Sequence, residues 1–159
     1  MRTISSNHTK YFFIFFLSII FAFSSVMAFA FNAERDLTNE QTFKLLNEEK
    51  LILVDVREEQ EWKNSGIAKG ALTISMQDPS ILMQITKLRL DNPDKIIAFI
   101  CASGRRSEVV RAELAKRDFT NIYSVFGGTT GNGIAGWIKD GLPIEKYQWD
   151  FMDNHCSWS

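Results

Sequence analysis

Two nearly continuous apolar runs lie in the middle of the chain, LILVDV at residues 51–56 and KIIAFI at residues 95–100. Runs of this kind are typical of strands that are buried on both faces of a parallel sheet. Before and after them, apolar residues recur with helical spacing over residues 38–47, 81–88 and 107–118. Because helices alternate with strands, the pattern predicts an α/β fold whose parallel sheet carries helices on both faces.

Local signals predict where several elements begin and end. Thr38 and Gln41 have the spacing of a helix-capping box. Pro79 favours the first turn of the helix that follows it, and Asn92-Pro93-Asp94 ends that helix. Weaker patterns complete the prediction with helices at residues 58–63 and 134–139 and strands at residues 71–75 and 121–126.

The beginning of the chain has a different composition. The first 31 residues contain eight of the 13 phenylalanines and no acidic residue. Arg2 and Lys10 precede the apolar residues 11–23, and Ala28-Phe29-Ala30 follows them. This order predicts a signal peptide, residues 1–30, that is cleaved after Ala30. An uncleaved membrane anchor is the alternative, since about 20 apolar residues span a bilayer. Both place the domain outside the cytoplasm, either periplasmic or secreted.

The length and charge of the remainder limit its class. Of 159 residues, those after the export segment suffice for one domain, residues 31–146, and a short tail, residues 147–159. Without Arg2 and Lys10 the mature chain has 16 basic and 19 acidic residues and a net charge of −3, so no nucleic-acid partner is expected. Two cysteines are too few for a four-cysteine zinc site or a disulfide-rich scaffold, and we predict no metal site.

One predicted strand-to-helix junction contains the most reactive residues. The strand at residues 95–100 leads directly into Cys101. Ligands of open α/β sheets bind at the carboxyl ends of strands, where loop N–H groups and a helix N-terminus attract anions. The same field favours the thiolate form of a cysteine. We predict that Cys101 is a nucleophile and that the six residues after it form an anion site: Ala102, Ser103, Gly104, Arg105, Arg106 and Ser107.

A cysteine after an apolar strand is often only a small core residue. The glycine and the two arginines that follow Cys101 within five residues favour the reactive alternative.

Four stretches in order resemble the rhodanese-like sulfurtransferases. They are LVDVREEQEW at residues 53–62, Gly70-Ala71, CASGRRS at residues 101–107 and a closing stretch at residues 125–144 with Gly-Gly, Ala-Gly-Trp and Gly-Leu-Pro. The resemblance spans residues 37–145 and implies a three-layer domain with a central parallel sheet of about five strands. Together with the chain length and the predicted export segment, it indicates a single-domain, exported protein of the thiosulfate sulfurtransferase type.

The resemblance implies a two-step reaction without a cofactor. The thiolate of Cys101 would attack the outer sulfur of a donor such as thiosulfate, and a persulfide and sulfite would form. A thiol or cyanide would then remove the sulfur, while Arg105 and Arg106 hold the anionic donor. The spacing is Cys-x4-Arg, whereas Cys-dependent phosphatases have Cys-x5-Arg and this chain has Ser107 at that position. The resemblance implies that this shorter loop suits a sulfur atom better than a phosphate group, so we expect sulfur chemistry.

Two further features bear on the site. Residues 129–133 lengthen the segment between Gly128 and Trp137 relative to the family pattern, and we expect them to remodel one wall of the site. Asp55 and Arg57 follow the first apolar run. We prefer a structural ion pair between them to a supporting role at the mouth of the site.

The C-terminal tail contains the second cysteine. Cys156 follows His155, and the tail also holds Trp149, Phe151 and Trp158. Outside the cytoplasm Cys156 could form a disulfide with Cys101, accept sulfur from it as a relay, or remain a free or intermolecularly paired thiol. The aromatic side chains could dock on the domain or bind a protein partner.

Two functions therefore stay open. The first is a sulfurtransferase that uses Cys101. The second is a non-catalytic sulfane-sulfur carrier or partner-binding module on the same fold, in which residues 129–133 or a disulfide prevent turnover.

Overall fold

A five-stranded parallel sheet forms the centre of the computed structural model, which describes residues 36–148. The strands are β1 (Asp36–Leu37), β2 (Leu51–Asp55), β4 (Leu72–Thr73), β5 (Ile96–Ile100) and β6 (Ile122–Val125). Their order in the sheet is β1-β6-β5-β2-β4, and all pairs are parallel. A separate antiparallel pair joins β3 (Ile67–Ala68) to β7 (Ile144–Glu145). The predicted signal peptide and most of the C-terminal tail lie outside the described residues.

Helices cover both faces of the sheet, as predicted. Successive residues of a strand point to opposite faces, and the two apolar runs supply apolar side chains to both. Leu51, Leu53, Ala98 and Ile100 pack with residues of α1 (Asn39–Asn47) and with Trp137. The opposite face packs against α3 (Ile81–Asp91) and α4 (Arg105–Ala115), and the following residues form its core: Val54, Ile97, Phe99, Ile85, Val110 and Leu114.

Side-chain hydrogen bonds stabilise the N-terminal ends of the helices, largely at positions that the sequence indicates. The predicted capping box of α1 is confirmed, since Thr38 Oγ1 accepts the N–H of Gln41 at 3.2 Å and Gln41 Oε1 accepts the N–H of Thr38 at 2.9 Å. The helix α2 (Glu59–Ser65) has a second box between Glu58 and Glu61. In front of α3, Asp78 accepts the N–H of Ser80 at 2.8 Å.

The helix predicted at residues 134–139 is wrong. Turns occupy residues 137–141, because the backbone donors of this stretch bond outside it. Trp137 donates to the Gly128 carbonyl at 2.8 Å and Ile138 donates to the Thr129 carbonyl at 3.1 Å. Asn132 Oδ1 accepts the N–H groups of the two residues before Gly136, at 3.0 and 3.1 Å. A glycine-rich turn therefore takes the place of a helix.

The remaining differences concern short elements. The strand predicted at residues 71–75 is reduced to Leu72–Thr73, although Ile74 and Met76 continue to donate to β2 and the residue after it. The helix expected from Ser107 begins two residues earlier, at Arg105. Three strands of two residues each, β1, β3 and β7, were not predicted.

Candidate active site

Cys101 lies at the carboxyl end of the central strand β5, and α4 begins four residues later. Its side chain is 1% exposed and packs with the core on the α3 and α4 side of the sheet. Gly104 turns the loop, with a φ of 93° that favours glycine. Because of this turn, the N–H of Gly104 donates to Cys101 Sγ at 3.2 Å. The predicted junction therefore places one backbone donor on the sulfur.

The N-terminus of α4 adds to this environment. The N–H groups of Arg105 and Arg106 belong to its first turn, where no intrahelical acceptor exists. No described protein atom accepts a hydrogen bond from either group. Such donors carry the positive end of the helix dipole and stabilise a nearby anion. The loop thus has the form of an anion site at the sulfur.

Ser107 approaches the sulfur from the core side. Its hydroxyl lies 3.6 Å from Cys101 Sγ and 2.9 Å from the Gly104 carbonyl oxygen, to which it can donate. It also lies 3.0 Å from the hydroxyl of Ser124 on β6, and both serines are buried. The hydroxyl of Ser107 is therefore the second polar group in contact with the sulfur.

The two arginines of the loop have different surroundings. Arg106 forms a bidentate pair with Glu61 of α2, with Nη1–Oε2 and Nη2–Oε1 distances of 2.7 and 2.6 Å. These hydrogen bonds raise the pKa of Arg106 above its ordinary value and lower the pKa of Glu61 below its ordinary value. The charged form of Cys101 would add to the rise in the pKa of Arg106. Arg105 is exposed, and no described residue forms an ion pair with it.

The segment after β6 packs against the backbone of the Cys101 loop. Thr129 donates its N–H to the Cys101 carbonyl at 2.7 Å, and Thr130 and Gly131 donate theirs to the Ala102 carbonyl, each at 3.0 Å. Gly128 has a φ of 65°, and a Cβ there would overlap the carbonyl oxygen of Cys101 and lie 2.6 Å from the carbonyl carbon of Ala102. Part of the lengthened segment at residues 129–133 therefore contacts the loop directly.

Asp55 and Arg57 form a fully buried ion pair beside the site. Arg57 Nη2 lies 2.7 Å from Asp55 Oδ2, and both side chains are 0% exposed. Arg57 donates further to Ser65 Oγ and to the Gly66 carbonyl, each at 2.7 Å. These contacts join the end of β2 to the end of α2 and include no residue of the Cys101 loop. This geometry agrees with the interpretation of Asp55 and Arg57 as a structural ion pair.

Ala102 and Ser103 complete the loop as half-buried residues. Sequence reasoning did not identify Glu61 or Ser124 as neighbours of the loop, whereas it expected residues 129–133 at one wall of the site. The capping-box position of Glu61 indicates the beginning of its helix. It does not indicate the ion pair with Arg106, which lies 45 residues away along the chain.

Other parts of the prediction fall outside the site or the described range. Cys101 is a free cysteine, and Cys156 lies outside the described residues, so its three alternatives stay predictions. At the start of the tail, the Tyr147 ring packs against Trp62 with centroids 5.2 Å apart. Within residues 36–148, no group of three metal-ligating side chains could hold an ion. The same part of the chain contains no helix with the length and apolarity needed to cross a membrane.

Comparisons with known proteins agree on one family. The model of the rhodanese-like domain family matches residues 38–132. Thiosulfate sulfurtransferase GlpE of Actinobacillus succinogenes is 29% identical over 110 residues, which cover 69% of this chain and 89% of that protein. The protein of the same name from Pseudomonas savastanoi pv. phaseolicola is 32% identical over 83 residues, 52% of this chain and 73% of that protein.

A solved structure shows the same fold. The rhodanese-related protein of Thermoplasma volcanium superposes with a TM-score of 0.53 at 26% identity, and the match covers 71% of this chain and 99% of that one.

Proposed function

Because this chain belongs to the rhodanese-like domain family, we propose that it is a sulfurtransferase that moves sulfane sulfur from thiosulfate or a similar donor to a thiol or cyanide. The observation that carries the proposal is the contact of the Gly104 N–H with Cys101 Sγ at 3.2 Å, in a loop that precedes the N-terminus of α4. A sulfur in this position can hold negative charge, which the reaction needs at its beginning and at its midpoint.

The proposed reaction has two steps. In the first, the thiolate of Cys101 attacks the outer sulfur of thiosulfate, the sulfur–sulfur bond of thiosulfate breaks, and sulfite leaves with the bonding electron pair. In the second, a thiolate or cyanide attacks the outer sulfur of the Cys101 persulfide, and the Cys101 thiolate is released. The N–H of Gly104 and the first turn of α4 stabilise both anionic forms of Cys101.

The two arginines have different roles in binding the anionic sulfur donor. Arg105 is exposed and can bind the donor anion when it enters the site. Arg106 is fixed by Glu61, so its charge is held near the sulfur while part of that charge is offset. The family relationship and the two GlpE sulfurtransferases support the proposal of sulfur transfer.

Intact-mass analysis tests the proposal. We expect reduced wild-type protein to gain one sulfur atom from thiosulfate and to lose it to cyanide, and we expect no gain in Cys101→Ser. Continuous thiocyanate production should accompany the cycle. Sulfur loading that persists in Cys101→Ser would refute the assignment of the nucleophile.

A sulfane-sulfur carrier is the second candidate, and the burial of Cys101 favours it. The thiol is 1% exposed, and residues 129–131 are hydrogen-bonded across the back of its loop. A carrier would gain one sulfur atom in the same mass experiment but would release thiocyanate only once per molecule. Repeated turnover would exclude this candidate.

We also propose that the protein acts outside the cytoplasm. The basic residues, the apolar residues 11–23 and Ala28-Phe29-Ala30 support this location.

A further inference from the structure

A buried serine of β6 is separated from the sulfur of Cys101 by a single hydroxyl group. Ser124 is 1% exposed, and its Oγ lies 3.0 Å from Ser107 Oγ. Ser107 is 0% exposed, and its Oγ lies 3.6 Å from Cys101 Sγ. The two serines meet because β6 is the neighbour of β5 in the sheet. The mechanism proposed above gives Ser124 no part.

The two hydroxyl protons determine how these groups are connected. Each serine has one O–H to donate and lone pairs that accept. The proton of Ser107 can reach the Gly104 carbonyl oxygen at 2.9 Å or Cys101 Sγ. Among the described residues, Ser107 is the group with which the Ser124 hydroxyl forms a hydrogen bond. Both protons are therefore used when Ser124 donates to Ser107, whereas the opposite direction takes the proton of Ser107 away from the sulfur.

The Gly104 carbonyl does not depend on the proton of Ser107. It also accepts the N–H of Glu108 at 3.2 Å, in the hydrogen bond that begins α4. The Ser107 hydroxyl can therefore turn from the carbonyl to the sulfur without leaving a buried acceptor unpaired. A hydrogen bond to an anionic sulfur is charge-assisted and stronger than one to a neutral carbonyl. Ionisation of Cys101 thus draws the proton of Ser107 toward the sulfur.

We propose that Ser124 is a positioning residue of the sulfur site, which donates to Ser107 and thereby keeps the Ser107 hydroxyl available to the thiolate of Cys101. The thiolate is the form that attacks the sulfur donor in the first step and is released in the second. The inference rests on the proposed function and deepens it, because it concerns the same sulfur atom. It holds equally for a carrier, whose cysteine must also ionise before it is loaded.

Loss of the Ser124 hydroxyl should favour the thiol form of Cys101. The oxygen of Ser107 would then lie in the protein interior without a donor, which costs free energy. The S–H of a neutral thiol is a weak donor and can fill that place, whereas a thiolate has no proton to give. In the wild-type protein the hydroxyl of Ser124 already fills it, so the thiol gains no such advantage.

The charged groups around the two serines are the same in the wild-type protein and in a variant of Ser124. Arg106 is the cation that interacts with the charged form of Cys101. On the other side, the exposed Asp36 is the register partner of Ser124 in β1. The electrostatic neighbours of Asp36 are two residues of α4, Glu108 and Arg111. Because Ser124→Ala changes none of these charges, a shift in the ionisation of Cys101 reports on the lost hydroxyl.

Alkylation of Cys101 tests the proposal without any sulfur donor. The full chain is treated with iodoacetamide across a pH series, and peptide mass analysis reads Cys101 separately from Cys156. In Ser124→Ala we expect the midpoint of alkylation to rise by about half a pH unit, which corresponds to about three times less thiolate at a fixed pH below the midpoint. Ser124→Thr keeps a hydroxyl at this position and should keep the midpoint near that of the wild-type protein.

Two comparisons separate the role of the hydroxyl from a general loss of packing. Thr42→Val removes an equally buried hydroxyl on α1, at the opposite face of the sheet, and should leave the midpoint unchanged. In a Ser107→Ala background, Ser124→Ala should no longer move the midpoint, because the group through which it acts is missing.

A second pair of variants serves if circular dichroism shows that Ser124→Ala folds poorly. Ser124→Thr and Ser124→Val have nearly the same shape, and only the threonine has a hydroxyl. We expect the midpoint to be higher in Ser124→Val by the same half pH unit, approximately.

Two results would overturn the proposal. One is an unchanged midpoint in the variants that lack the Ser124 hydroxyl. The other is an equal rise of the midpoint with and without the Ser107 hydroxyl, which would show that Ser124 acts through packing. Because no sulfur donor is used, a protein that fails to turn over thiosulfate would still give a clear answer here.

Discussion

At the scale of single residues, the site depends on how two adjacent arginines are held. In the sequence Arg105 and Arg106 are indistinguishable, since both are positive charges shortly after a cysteine. The structure exposes Arg105 and fixes Arg106 on Glu61 through two hydrogen bonds of 2.7 and 2.6 Å. A guanidinium that forms a planar, two-point pair is not replaced by lysine, which offers only a point charge. The fixed arginine therefore sets the charge near the sulfur, and its partner sets how much of that charge remains.

We expect Arg106→Ala to raise the KM for thiosulfate about tenfold, the factor that corresponds to about 1.4 kcal/mol of lost interaction. The loss has two causes, since the cation is removed and the carboxylate of Glu61 is left unpaired beside an anionic donor. Steady-state kinetics with varied thiosulfate measure this change, and Glu61→Gln in the same chain should recover part of it.

Arg117→Ala is the matched control for Arg106→Ala. Arg117 is also close to α4, but its side chain is 52% exposed and pairs with Glu113. We expect its substitution to leave the KM unchanged. A KM for Arg106→Ala that equals the control would remove Arg106 from the donor site.

Much of the site could be predicted from residues that lie together in the chain. Cys101, Gly104 and Ser107 belong to one heptapeptide, and a loop between an apolar strand and a helix has few alternative forms. Glu61 and Ser124 could not be found in this way. They reach the loop only because α2 and β6 lie beside it in the fold, and no local pattern specifies those contacts.

At the scale of elements, the loop depends on the segment that follows β6. Three N–H groups of residues 129–131 donate to the carbonyl groups of Cys101 and Ala102. Gly128 brings the two backbones together, since it leaves no room for a side chain against Cys101 and Ala102. The position of the sulfur is therefore fixed partly by residues that do not touch it.

Gly128→Ala should cost more stability than the same change at Gly141. The two glycines have φ values of 65° and 72°, so an alanine is strained by about 1–2 kcal/mol at either position. A Cβ at Gly141 meets nothing within 4 Å, whereas one at Gly128 collides with the backbone of the loop. We expect about 1–3 kcal/mol of additional destabilisation for that collision.

Urea denaturation of the two glycine variants provides the comparison. The rate of sulfur loading should fall in Gly128→Ala and stay near the wild-type rate in Gly141→Ala. Equal free energies of unfolding would show that the loop yields to the extra methyl group without cost.

The elements themselves were predictable in proportion to their length. The strand β5 is apolar over five residues and β2 over four, and the capping signal of α1 is local. The strands β1, β3 and β7 have two residues each, and two residues show no periodicity. Residues 134–139 have apolar residues and a lysine in a helical order, which led to the incorrect prediction of a helix. In the structure Asn132 accepts hydrogen bonds from this backbone, and nearby glycines with positive φ angles allow turns.

At the scale of the whole molecule, the chain divides into a described domain and two ends that carry separate predictions. The family match over residues 38–132 falls within the domain predicted at residues 31–146. The sheet and its two helical layers follow from the alternation of apolar strands and helices. The location of the protein depends instead on the first 30 residues.

We expect the full chain, when expressed in a bacterium, to be recovered from the periplasm with Phe31 as its first residue. Small side chains at Ala28 and Ala30 fit the recognition pockets of a signal peptidase. Cell fractionation and intact-mass analysis measure the location and the cleavage together. As a control, Ala28→Leu with Ala30→Leu should yield an uncleaved protein that stays with the membrane.

Uncleaved wild-type protein in the membrane fraction would favour the anchor alternative. Full-length wild-type protein in the cytoplasm would contradict export altogether.

The order of strands in the sheet has a consequence for how the protein comes into being. The central strand β5 is flanked by β2, which is synthesised before it, and by β6, which is synthesised after it. A nascent chain that ends at Arg117 already contains Cys101 and Gly104, but not Ser124, Gly128 or the donors at residues 129–131. Parallel pairing between distant segments is slow because a long loop must close first. The Cys101 thiol therefore has Gly104 and α4 beside it early in synthesis, but the residues that fix its loop from β6 onward arrive only with the last part of the chain.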